Sequence, residues 1–196
     1  MRTVRFRMPR ILRGGSVFLA VALFAVMSHW PGTGPVVATV GASPDDLARL
    51  EAALGMFEAA GLSVGSTEVR FVEPGVGGCG DGWVGQYRSR WPRSVVTVCT
   101  DSQRTLVHEL AHVWVDHHLS RRDQERLVEL WRLPAWRGEG VAWGERASEH
   151  AAEIIVWGVI PGAVPRVPET DPDMLSTAYI RLTGRAPAAG FGRPTE

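Results

Sequence analysis

His108-Glu109-Leu110-Ala111-His112 constrains this chain more than any other stretch, because its side chains converge only if the segment is helical. Residues four apart share a helical face, so both imidazoles point to one spot, while the intervening Glu109 projects about 100° away, beside it. Two such imidazoles suit a tetrahedral zinc ion. A neighbouring carboxylate can then take a proton from a water whose pKa the metal has lowered towards neutrality. Chance would place the pattern in roughly one chain in a hundred of this composition. The flanks agree with a helix: Leu106, Leu110, Val113 and Trp114 follow the spacing of a core-facing stripe, and Thr100 to Gln103 supply capping oxygens at its start. The helix is expected to pack a core with one face and present ligands to a cleft with the other. The bland alternative is a solvated helix face with two incidental histidines.

A catalytic zinc takes three protein ligands and keeps one position open. Two residues compete for the third place. Glu145, Glu149 and Glu153 recur every four residues through a segment expected to be helical from about Gly144 to Val159, otherwise rich in Ala151, Ala152, Ile154, Ile155 and Trp157. A helix so apolar elsewhere is largely buried, and buried carboxylates need a metal or a partner. Glu149 is central; Glu153, one turn later, can hydrogen-bond a ligating histidine from behind. The competitor is His118, ten residues after His108, as in His-Glu-x-x-His-x-x-Gly-x-x-His. Val115 stands where that pattern has the glycine that turns the chain back to the metal, and valine resists the turn. His150, Tyr179 and Arg146 are candidates for stabilising a developing oxyanion.

His108-Glu-Leu-Ala-His112 followed by Glu149-His-Ala-Ala-Glu153-Ile-Ile-Val-Trp resembles the glutamate zincins. It is similar in particular to small bacterial proteins with a Glu-x-x-Ala-(Asn/Glu)-x-(Phe/Ile)-Ala helix. These include regulatory proteases that cleave phage-type repressors, and actinobacterial proteins carrying His-Glu-Leu-Ala-His-Val-Trp. The resemblance spans roughly Val95–Pro161. It implies a zincin-like α+β fold, Zn²⁺ held by His108, His112 and Glu149, and Glu109 as general base. Val156 departs from the alanine of that helix motif.

The N-terminus points to export, which sets a cytoplasmic repressor aside as substrate. Arg2, Arg5, Arg7, Arg10 and Arg13 precede the apolar run Val17–Met27, and Val40-Gly41-Ala42 offers small residues for cleavage. Residues 1–42 are therefore read as a signal peptide or an uncleaved membrane anchor, 43–185 as one zincin-like domain and 186–196 as a flexible tail. Without the first 42 residues, sixteen basic residues face 21 acidic ones, a net charge of −5 that argues against nucleic acid as partner. Cys79 and Cys99 are the only cysteines. In an oxidising compartment they are expected to form a disulfide, stabilising by roughly 3 kcal/mol in the chain-entropy model and tethering the glycine-rich loop 74–85 beside the cleft.

Ser43-Pro44-Asp45-Asp46 opens a helix that Gly61 ends, and 69–73 reads as a strand. Ser94–Thr100 is the clearest strand, either purely structural or pairing with an extended substrate. Ser120 and Asp123 cap a helix that Pro134 closes, and a last helix lies near 173–183. Two function classes follow. One is a secreted or surface-anchored zinc metallopeptidase acting on a peptide or protein substrate. The other is a zinc-binding structural or interaction protein that does not catalyse. An open metal position facing a groove beside 94–100, as against a fourth protein ligand, separates them.

Overall fold

The computed structural model describes residues 35–188 except 77, 78, 80, 81, 83, 91, 92, 139 and 170. Residues 1–34, most of the segment expected to be a signal peptide or anchor, and 189–196, most of the expected tail, lie outside the described residues. Alternating side chains build a sheet buried mainly on one face. In β4 (Ser94–Val98) the residues Ser94, Val96 and Val98 turn inward, and in β2 (Thr67–Phe71) Thr67, Val69 and Phe71 do so. An Arg70–Glu68 ion pair lies on the outward face of β2. β1 (Val37–Val40) pairs parallel to β2, β2 parallel to β4, and β3 (Gly85–Arg88) antiparallel to β4, giving the order β1-β2-β4-β3.

Helices cover the inner face. α1 (Pro44–Ala59) starts as expected at a Ser43 cap, closed into a capping box by Asp46, and the chain leaves it through Gly61 at φ 68°. α2 (Gln103–His118) follows β4 directly, its start capped by the Ser102 hydroxyl, and every residue from Leu106 to Val115 is buried. α3 (Arg121–Trp131) begins with a Ser120–Asp123 capping box and stops where Arg132 takes a left-handed conformation, ahead of Pro134. A 3₁₀ turn, Trp143–Glu145, leads into α4 (Ala147–Val159), and α5 (Pro172–Thr183) packs behind it. α2 packs most extensively on α4, and also against β3, β4 and α1. The result is α+β: a small mixed sheet, then five helices of which the last three form a helical half.

The sheet begins with β1, whose Val37 to Val40 pair with Thr67 to Arg70. Two expectations need correction. The glycine-rich loop 74–85 gives its last residue to β3, a strand the sequence does not signal: Gly-Gln-Tyr-Arg carries little alternation, and pairing with β4 imposes the strand. Glu145 does not share a helix face with Glu149, because Arg146 is extended (φ −89°, ψ 123°) and breaks the helix between them.

Candidate metal centre

α2 and α4 bring three donor atoms together. His108 and His112, one turn apart and buried, lie with their Nε2 atoms 3.2 Å from each other, and Oε2 of Glu149 is 3.1 Å from both. Zinc bonds of about 2.0–2.1 Å at tetrahedral angles separate neighbouring ligand atoms by about 3.3 Å, so this triangle fits one face of such a coordination shell. Among the described residues, these three form the only His, Cys, Asp or Glu group with metal-holding geometry. His118 stays out. The helix runs unbroken through Val115, so His118 lies about 9 Å further along the axis than His112. Its ring bonds the Trp114 carbonyl at 2.8 Å and stacks on that indole.

The surrounding hydrogen bonds orient the imidazole of His108. Oε1 of Glu153 lies 3.0 Å from its Nδ1, so that nitrogen donates to the carboxylate and Nε2 is the atom turned to the cluster. Glu153 is 1 % exposed; its other oxygen accepts from the Arg104 guanidinium and, at 2.6 Å, from the Arg166 backbone N–H. His112 is held differently. Its Nδ1 is buried without a partner among the described residues, and its ring stacks on Tyr87 at 5.7 Å. The Tyr87 hydroxyl bonds Asp116, which also accepts from Arg137 at 2.7 Å.

Electrostatics follow from burial and these contacts. Burial opposes charging of His108, but hydrogen bonds donated to Glu149 and Glu153 outweigh it and lift the pKa to about 9. Burial pushes His112 down. It also works against ionised Glu149, yet the two histidines hold that carboxyl far below the usual range. Burial raises Glu109 to about 7, opposed by His108 and reinforced by Glu149. Among the described residues nothing hydrogen-bonds the Glu109 carboxylate, which leaves it free to accept a proton.

A cleft passes over this centre. A cavity of about 550 Å³ lies on the side of Arg104 and Arg166, and one of about 670 Å³ on the side of Tyr87, Arg137 and Arg146. Both are lined by Gly85, His108, Glu109 and Trp143, so they meet above the motif. Trp143, 42 % exposed, lies over His108 with ring centroids 6.0 Å apart. The groove runs along β3 rather than beside 94–100. β4 is paired on both sides, so substrate pairing by that strand is excluded, and among the described residues the free sheet edge next to the cleft belongs to β3. The Cys79–Cys99 disulfide joins the glycine-rich loop to the end of β4, and the Cys99 N–H bonds the Val84 carbonyl just before β3.

Of the three oxyanion candidates only Arg146 lines the cleft. Tyr179 is fully buried between α4 and α5, its ring packed against Gly158, and the His150 ring turns to the Gly144 carbonyl at 2.8 Å. Sequence reasoning missed Arg104, although its place four residues before His108 put it on the same helix face. It also missed Tyr87, Arg137 and Trp143, whose nearness is purely tertiary. Comparisons with protein families, with curated proteins and with solved structures found no match to this chain.

Proposed function

We propose that this protein is a zinc-dependent peptidase of zincin-like fold, acting outside the cytoplasm. The observation that carries the reading is the triangle of His108, His112 and Glu149 donor atoms opening onto a cleft that also holds Glu109. The absence of a fourth metal-binding residue beside the triangle, among the described residues, favours an open catalytic site over a closed structural one. Bound there, zinc supplies Lewis acidity, polarising the scissile carbonyl and making a water acidic enough to lose a proton near neutrality.

Glu109 takes the proton from the attacking water and passes it to the leaving nitrogen as the C–N bond breaks. Its carboxyl, buried and lining the cleft beside the donor triangle, is placed for both transfers. Glu153, anchored by Arg104, holds the His108 ring in one tautomer. The free edge of β3 offers N–H and C=O groups to an extended peptide chain. Work outside the cytoplasm is supported by the Cys79–Cys99 disulfide. No helix among the described residues is long and apolar enough to cross a membrane.

Glu109→Gln tests the assignment. Metal analysis should show one zinc per chain in both proteins, while turnover of a quenched peptide library should be lost in the variant. Full activity in Glu109→Gln would sink the mechanism; no zinc in either protein would sink the site.

A further inference from the structure

Four arginines line the cleft against three glutamates, in a domain that is net acidic. Two arginines line each side: Arg104 and Arg166 one cavity, Arg137 and Arg146 the other. One member of each pair is committed, Arg104 to Glu153 and Arg137 to Asp116. The other member has no acidic partner among the described residues. Arg146 spends its Nε–H on the Val141 carbonyl at 2.9 Å, which fixes the side chain without neutralising it. Arg166 gives only its backbone N–H to Glu153, and the residue is exposed. The acids lining the two cavities are Glu109, Glu149 and Glu153, and each already has a place in the centre. A cleft that keeps uncompensated guanidinium groups on both sides attracts carboxylates and repels cations.

We propose, building on the peptidase reading, that the substrates are acidic peptides. Their carboxylates pair with Arg166 on one side of the scissile bond and with Arg146 on the other. The carboxylate comes from Asp or Glu side chains or from a free chain end, and both sources present the same planar partner to the guanidinium fork.

Fluorescence anisotropy of labelled short peptides on zinc-loaded Glu109→Gln protein separates recognition from turnover. Peptides rich in Asp/Glu, in Gln or in Arg, each with a free or an amidated C-terminus, form the panel. The acidic peptides are expected to bind about fivefold or more tighter than the Gln peptides, the advantage shrinking with added salt. Arg146→Gln and Arg166→Gln should each remove part of it. A gain that survives amidation assigns the arginines to side-chain carboxylates; a gain seen only with a free terminus assigns them to the chain end. No gain from either source, or a gain undiminished in both variants, overturns the proposal. Wild-type turnover of the same panel keeps the two readings apart. Cleavage without acidic preference removes this proposal alone, whereas arginine-dependent acidic binding without cleavage of any peptide removes the peptidase reading alone.

Discussion

A methyl group on Gly85 would stand 2.6 Å from Oε1 of Glu109 and 2.9 Å from Cγ2 of Thr105. The backbone of the cleft edge thus lies directly against the proposed base, and glycine is the residue that permits so close an approach. Gly85→Ala should displace the Glu109 carboxylate without touching a metal ligand. We expect kcat to fall about tenfold or more while zinc content stays at wild type, since small misplacements of a reacting group are costly. Unchanged kcat would mean that the Glu109 position is not critical. At this scale the sequence was informative wherever helix periodicity governs. His108, His112, Glu149 and Glu153 converge because spacings of four stay in register on a helix. Glu145 broke that rule, because an extended Arg146 interrupts the period and nothing in the local sequence announces it.

Among the elements, helices were legible and short strands were not. Ser43-Pro44, Ser102 and Ser120 each mark a helix start by a hydroxyl that accepts a backbone N–H, a local signal. β1 and β3 have four residues each and owe their shape to pairing with β2 and β4 rather than to alternation of their own. The α1 cap carries a pH-dependent prediction. Burial opposes ionisation of Asp46, but hydrogen bonds from the Ser43 hydroxyl and N–H and from Arg49 prevail, holding its carboxyl below the usual range. Its folded pKa lies under its unfolded value, so the stabilisation is complete above about pH 4 and lost as acid protonates the folded carboxylate. Asp46→Asn should cost about 1 kcal/mol at neutral pH, a loss that shrinks steadily as the pH falls below about 4 in denaturant titrations. The same loss at every pH would contradict the capping role.

For the whole molecule, the donor triangle links α2 to α4, the most extensive helix pairing in the fold. An ion held there stabilises the folded chain by mass action and draws the two helices together. Chelation should lower the melting temperature by about 5–10 °C, and added zinc should restore it. A melting curve indifferent to both would argue against a metal in this place. The first strand bears on the molecule in another way. Val37 to Val40 form a four-residue edge beside β2, whose Val69 and Phe71 are buried. A short edge is a poor template for another chain, whereas a longer apolar one invites it. If processing cut after Ala42, the cut would strip β2 of its neighbour and leave its ladder of N–H and C=O groups open to a second copy. Residues that read as the end of a leader would then be the guard against self-association.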